Sequence, residues 1–449
     1  MLADAIQRYH DLLTDQVAAD SQDHLDRQTE RRQFYFGDRP ICSVLRPRFL
    51  TDVQFRLLQF AVKDLLPAFQ RVHERALKDA AFRKHFSLSE AEEQLFAVDP
   101  GYAEPSPTAR FDSFFYADDE LKFTEYNAET PAGAAYHDIL TEIFYGMPVF
   151  QDFRRRYQVR PLPARPGVLD SLLDSFAHWA GNRSTKPRIA ILDWNEVPTY
   201  SEFRLFRDFF TTHGLECRII DPREVVYENG RLMHGDYHIT LIYKRVLISE
   251  LLERGGFDHP VVRAVRDRAV CMVNSFRCKA LYKKASLAVL SDEANAGIFE
   301  PAQRSAIERY IPWTRCVIER KTTFHGQPID LVPFVLANRD RFVLKPNDDY
   351  GGKGIVLGWT VDATAWEAAV RTALASPYVV QEKVRLPREV FPGWHQGNLH
   401  LIERMLDTNP FVTFGRHMDG CLTRISTEAL LNVTSGGGST VPTFVVEER

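Results

Sequence analysis

Cysteine is sparse and badly spaced for chemistry. Cys42, Cys217, Cys271, Cys278, Cys316 and Cys421 include no C-x-x-C pair, so neither a zinc framework nor a dithiol redox motif is present and reduced, partly buried thiols are expected. Charge of one sign is not in excess either. The 56 Lys and Arg stand against 60 Asp and Glu, a net charge of −4, which leaves no overall positive field to hold a nucleic-acid backbone. No uninterrupted apolar run approaches membrane-spanning length. The opening MLADAIQRYHDLLTDQ carries acids where a secretory leader needs an apolar core. A cytoplasmic protein with neither nucleic acid nor membrane as partner is the expectation. The 14 histidines show no H-E-x-x-H spacing, no Ser-His-Asp signature is evident, and G-x-G-x-x-G and G-x-x-x-x-G-K-[ST] are absent. There is no internal repeat, and the only low-complexity tract is Gly436 to Gly438.

The chain does have length and core. Its 449 residues, 45% hydrophobic, suit two or three globular domains. The first hundred residues read as helical: Phe55, Leu58, Leu65, Leu66, Phe69 and Val72 recur at helical spacing, after a Thr51 suited to capping and around a Pro67 that should bend the helix. PLPARPG, with Pro161, Pro163 and Pro166, marks a boundary. Beyond it, RIAILD (188–193), a helical stretch through Phe203, Phe206 and Phe210, ECRIID (216–221) and HITLIY (238–243) read as strand, helix, strand, strand. That order implies a small doubly wound parallel unit over about 167–275.

Two segments carry chemistry. In FVLKPNDDYGGKGIVLGW, two apolar strands flank a three-glycine loop, and Lys345 leaves the first strand just before it. Gly351, Gly352 and Gly354 let backbone N–H groups approach phosphate oxygens, with Lys345 and Lys353 adding charge; a plain hairpin turn is the alternative. YVVQEKV then ends in Gln381 and Glu382, as a hinge strand meeting an adenine edge would, with backbone groups of Lys383 and Val384 serving the base; an ordinary core strand is the alternative. The second segment is ARFDSFFYADDELKFTEYNAETPAG. With a turn centred on Asp118 and Asp119, Asp112 faces Glu125 and Arg110 faces Asn127, and period two puts all four on one face. Opposed carboxylates repel, but a divalent cation reverses that sign. Asp112, Glu125 and Asn127 offer hard oxygen ligands for Mg²⁺, and Arg110 offers a bidentate grip on a γ-phosphate or tetrahedral intermediate. A solvated polar face, or an Arg110–Asp112 salt bridge, is the competing reading.

In these motifs the chain resembles the ATP-grasp ligases, and specifically the circularly permuted branch that includes glutathionylspermidine synthase. Order carries the resemblance: R-x-D and E-x-N precede the phosphate loop by more than two hundred residues, instead of following it. The likeness covers roughly 105–449. It implies a mixed α/β fold with ATP and Mg²⁺ as cofactors: Asp112, Glu125 and Asn127 on the metal, Arg110 and Arg424 as catalytic arginines, and Lys345 on phosphate. Lys284 of KKASLAVLSDE is a second nucleotide contact, with Lys279 and Lys283 as rivals; Gly351, Gly352, Lys353, Gly354, Gln381, Glu382, Lys383 and Val384 complete the nucleotide site. Glu129 and Thr130 should border the substrate. The implied division is a helical region 1–104, a metal-binding hairpin segment 105–165, a small Rossmann-like unit 166–275, and the remainder 276–449. The implied reaction joins a small-molecule or peptide carboxylate to an amine or thiol through an acyl phosphate, with a homodimer as one arrangement. ILDWNEVPTYSEF and IYKRVLISELL should line the acceptor side, where Arg245 is a candidate for a substrate carboxylate. No amidase domain is inferred, because residues 1–104 are helical and hold only Cys42. A phosphotransferase using the same residues, a nucleotide-binding partner without turnover, and a ligase acting on a large peptide or cell-wall partner are the other readings.

Overall fold

The computed structural model describes residues 1–117, 120–349, 351–428 and 438–449. The expected turn residues Asp118 and Asp119, Tyr350 of the glycine loop, and Gly436 and Gly437 lie outside the described residues.

Helices Leu2–Asp11, Asp15–Arg32, Asp52–Lys78, Ala80–Arg83 and Glu90–Phe96 make up most of the first hundred residues, with the short strands Tyr35–Phe36, Arg39–Pro40 and Arg48–Leu50 between the second and third. Thr51 caps the long third one. Its side chain accepts the Gln54 N–H and Gln54 returns to the Thr51 N–H, a reciprocal capping box that satisfies two otherwise orphaned donors. The six apolar residues picked out by spacing are all buried, and Phe69 meets Tyr126 at 4.5 Å and Phe111 at 5.5 Å between ring centroids. The helix therefore serves as the back wall of the hairpin.

That hairpin, Thr108–Ala117 with Glu120–Asn127, sits at one edge of a sheet of seven strands. Arg110 pairs with Asn127 and Asp112 with Glu125, as the expected register requires. Thr124 is then left without a partner opposite, so the register shifts by one between Asp112 and Ser113. Phe111 and Phe115 turn into the core while Arg110, Asp112 and Phe114 turn towards cavities, the two-residue alternation of a pleated strand.

A second sheet runs in the order Thr314–Cys316, Tyr378–Glu382, Phe342–Pro346, Val356–Leu357 and carries the glycine loop. The third sheet is all parallel, in the order Cys271–Val273, Leu241–Lys244, Arg188–Leu192, Glu216–Ile220. Its second strand begins later than expected. HITLIY divides at Thr240: Tyr237–Ile239 joins a small antiparallel sheet, while Leu241–Lys244 enters the parallel one. Thr240 forms the joint, donating its N–H to the Arg188 carbonyl and accepting the Arg188 N–H on its hydroxyl. Arg48–Leu50, Thr443–Glu448 and Tyr157–Pro161 form a further sheet that ties together both ends of the chain and its middle.

Candidate functional site

A cavity of about 320 Å³ opens where the hairpin, the glycine loop and the parallel sheet meet. Arg110, Asp112, Glu125, Asn127, Gly351, Gly352 and Arg424 line one side of it, and Asp193, Arg245 and Glu250 another. Gly351 and Gly352 both have φ in the left-handed region, 67° and 77°, a conformation that side-chain-bearing residues rarely hold. Lys353 and Gly354, expected beside them, are exposed and do not line the cavity. Gly351 and Gly352 border the cavity, whereas Gly354 lies against Pro346 and Tyr378.

Asp112 is the electrostatic centre. Arg110 grips it with Nε on Oδ1 at 2.7 Å and Nη2 on Oδ2 at 3.1 Å, and Arg424 adds Nη2 on Oδ2 at 2.7 Å. The salt bridge weighed as an alternative for Arg110 therefore forms, but on a face shared with Glu125 and Asn127. Burial pushes the Asp112 carboxyl up, and the two guanidiniums outweigh it, holding the group at about 2. Arg424 is itself held by Asp407, whose carboxylate accepts both its Nε–H and its backbone N–H at 2.7 Å. The sequence reading missed Asp407. It has no local signal, being a strand-end acid in LDTNP that reaches Arg424 only through sheet pairing.

Glu125 meets a cation too: Lys284 Nζ lies 3.1 Å from its Oε1 and donates to the Asp349 carbonyl at 2.6 Å. Of the three lysines weighed for this role, Lys279 and Lys283 are spent elsewhere. They pair with Asp348, both at 2.7 Å, and with Glu92 and Glu129. Glu129 is fully buried in that cluster and does not border the cavity; Thr130 does. The lysine-led helix expected through Leu281 to Leu290 breaks at this point into Lys279–Tyr282 and Ala285–Ser291. Asn347 draws the Lys284 N–H to its carbonyl and the Ala285 N–H to its side chain, taking two donors out of the helical ladder.

Lys345 donates to the Thr124 carbonyl at 3.1 Å and to Gln381 Oε1 at 2.7 Å. The hairpin bulge leaves that carbonyl available to it. Burial pushes the Lys345 ammonium down to about 8, with Glu125 pulling part of the way back. Beyond Gln381 lies a larger cavity of about 590 Å³, lined by Phe114, Lys122, Trp313, Glu382, Lys383 and Val384 among others. The hairpin thus runs past both cavities. One expectation changes here: the Lys383 N–H donates to the Arg341 carbonyl at 2.8 Å and is not open to a base edge. Glu382 holds His325 at 3.0 Å.

Two carboxylates and an amide are the oxygens a divalent cation would meet. Among the described residues no three or more His, Cys, Asp or Glu side chains gather as a metal site. Mg²⁺ does not need them, since it commonly binds one or two carboxylates and completes its shell with phosphate oxygens and water. The donor set fits that pattern. The Asn127 amide nitrogen is buried without a hydrogen-bond partner among the described residues, so protein contacts alone leave this side chain incomplete.

Arg245 is committed within the protein. It approaches Glu202 at 3.6 Å and donates to the Tyr243 hydroxyl at 3.3 Å and to the Pro131 carbonyl. Glu202 in turn accepts the Gly133 and Ala135 N–H groups at the start of helix Ala134–Gly146. The pair anchors the end of the hairpin segment to the parallel unit.

No family model matches the chain. A stretch of 235 residues is 34% identical to a protein of Frankia casuarinae named "Putative glutamate--cysteine ligase 2-2", covering 49% of this chain and 25% of that one. A Frankia alni relative, "Putative glutamate--cysteine ligase 2-3", is 34% identical over 112 residues, 23% of this chain and 13% of its own. The chain thus spans a quarter or less of the length of these relatives. Among solved structures, a glutathione synthetase-like effector from Globodera pallida superposes over 96% of this chain and 98% of its own, with a TM-score of 0.58 at 13% identity. At that identity the likeness establishes the fold alone: nearly the whole chain takes up the mixed α/β architecture of the glutathione synthetase-like effector.

Proposed function

We propose that this chain is an ATP-dependent ligase of the ATP-grasp type that joins a carboxylate to an amine through an acyl phosphate, built on the circularly permuted plan of the glutathionylspermidine synthase-like branch. The observation that carries the reading is the convergence of Arg110, Asp112, Glu125, Asn127, Arg424, Gly351 and Gly352 on one cavity, with Lys284 and Lys345 behind it. Charges of both signs on one half-buried face are more than nucleotide binding alone requires. The name carried by the Frankia relatives supports ligation as the reaction class.

In this reading Asp112, Glu125 and Asn127 would hold Mg²⁺, which would supply charge neutralisation at the phosphates. Gly351 and Gly352 offer backbone N–H groups, and Lys284 and Lys345 offset negative charge on the transferred phosphoryl oxygens. Glu382 and Val384, on the wall of the larger cavity, would meet the base. A substrate carboxylate attacks the γ-phosphorus, ADP leaves, and the amine then displaces phosphate from the acyl carbon. Arg110 and Arg424 orient the oxygens that carry charge at each stage. Little proton chemistry falls to the chain, because positioning and electrostatics suffice.

The test is to incubate the protein with ATP, Mg²⁺ and a panel of amino acids, short peptides and polyamines, recording ADP, phosphate and product mass. ADP, phosphate and a mass equal to two substrates minus water support ligation. ADP with a phosphorylated product identifies a phosphotransferase. Mg²⁺-dependent ATP binding without turnover on any member favours a binding partner or a macromolecular substrate.

A further inference from the structure

The parallel sheet points at the cavity with its strand ends. The chain passes from Arg188–Leu192 to Glu216–Ile220 on one side, then crosses to Leu241–Lys244 on the other, so connections diverge between the two inner strands. The crevice at the carboxyl ends of such strands is where open α/β sheets take ligands. Asp193 and Arg245 are the first residues beyond those ends, and both line the cavity.

Their charges are treated differently. Arg245 has Glu202 at 3.6 Å, the Tyr243 hydroxyl and the Pro131 carbonyl as partners, with its Nε left buried and unpaired among the described residues. Asp193 has less direct company: it is 6% exposed, one carboxylate oxygen accepts the Trp194 N–H at 2.9 Å, and among the described residues the other accepts no hydrogen bond and no cation lies within ion-pair distance, Arg245 and Lys244 acting on it only from farther away. Glu250, held by the Trp194 indole N–H at 3.1 Å, adds a second carboxylate to the same wall. One side of the cavity is thus rich in cations that suit phosphate, and the other presents a carboxylate oxygen that no described residue meets.

We propose that Asp193, with Glu250 beside it, is the subsite for the primary ammonium group of the amine substrate, at the sheet's switch point. The assignment rests on the ligase reading for the word "substrate"; the cation preference itself rests on the cavity. Burial pushes the Asp193 carboxyl up to about 7, against the Trp194 N–H, with Arg245 and Lys244 lowering it and Glu250 raising it. A simple alkylammonium stays charged well above that pH. Its affinity therefore rises as pH increases through about 7, because only the carboxylate changes state.

The experiment is calorimetric titration of the full chain with 1,4-diaminobutane and with its neutral counterpart 1,4-butanediol, at pH 6 and pH 8, for wild type and Asp193→Asn. Diamine binding that is at least tenfold weaker in D193N, absent for the diol, and stronger at pH 8 than pH 6 in wild type is the expected result. Equal diamine affinity in the two proteins, no diamine binding to wild type, or a wild-type affinity indifferent to pH overturns the subsite. Unchanged Mg²⁺-ATP affinity shows that D193N is folded. Loss of ATP binding from wild type itself would sink the ligase reading while leaving the diamine comparison to decide the subsite separately.

Discussion

Lys345 shows how much of this site is stored electrostatic cost. Its ammonium lies between the Thr124 carbonyl and Gln381, and burial lowers it to about 8. A bound polyphosphate raises it again, so nucleotide binding takes up a proton above that pH. ATP affinity should accordingly be level below about pH 7.5 and fall as pH rises through 8 to 9. Lys345→Met should bind weakly throughout and lack that step, which fluorescence titration with a labelled nucleotide across pH 6.5–9.5 would reveal; a wild-type curve flat to pH 9.5 would remove Lys345 from the phosphate contact. Glu125 is more exposed and answers a different question. Glu125→Gln keeps shape but removes a negative ligand, and Mg²⁺-dependent ADP release should drop by at least about 100-fold, the scale of losing one preorganised electrostatic contact. Unaltered turnover would leave the metal assignment without support. At this scale the facing of Asp112 and Glu125 was legible, because register on a hairpin is arithmetic once the turn is located. Asp407 was not: nothing near it in sequence distinguishes it from other acids until the sheet sets it against Arg424.

The hairpin functions as an element because its two faces do opposite work. Its inner face is stacked against helix Asp52–Lys78, with Phe111 and Tyr126 4.4 Å apart and tilted 27°, and Phe69 against both. Phe111→Ala should cost about 3–5 kcal/mol by leaving a cavity at a fully buried position. Chemical denaturation would measure it, and a loss below about 1 kcal/mol would mean that the wall re-forms. Thr51→Ala, at the capping box of the same helix, should cost only about 1 kcal/mol. Helix Asp52–Lys78 and the strand entering the glycine loop were readable from periodicity and caps; the strand leaving the loop, expected through IVLGW, is only Val356–Leu357 before a 3-10 turn at Gly358–Thr360. The break after Tyr282 and the division of HITLIY at Thr240 were not, because each follows from a hydrogen bond to a distant segment, Asn347 in one case and Arg188 in the other. The bulge at Thr124 belongs with these, since a two-residue alternation carries no sign of where one residue will be skipped.

Over the whole molecule, a buried cluster joins segments that lie far apart in sequence. Glu92 comes from the helical region, Glu129 from the hairpin's continuation, Lys244 from the parallel sheet, Lys279 and Lys283 from the lysine segment, and Asp348 from the glycine loop. Three carboxylates face three ammoniums, so each charge is answered only when every segment is in place. Lys279→Met should therefore destabilise the protein by about 3–5 kcal/mol, the usual cost of stranding a buried charge. It should also weaken ATP binding, since Asp348 loses a tether at the loop; thermal unfolding and nucleotide titration read the two effects. ATP affinity unchanged in a folded variant would separate the cluster from the loop. The first hundred residues, read from the sequence only as helical, thus supply Glu92 to the cluster and Phe36 and Ile41 to the cavity wall.

The sequence by itself determined the local chemistry: which side chains share a hairpin face, where glycines permit a close backbone, where helices start, and that a parallel unit stands between the two motifs. Those are properties of neighbours along the chain, fixed by period, caps and turn residues. Only the tertiary structure decided which charges meet. It set Asp407 behind Arg424, chose Lys284 over Lys279 and Lys283 as the partner of Glu125, turned Lys353 outward, and left Asp193 with a carboxylate oxygen facing the cavity. Coulomb energies depend on distance and burial, and both are settled when segments hundreds of residues apart pack together.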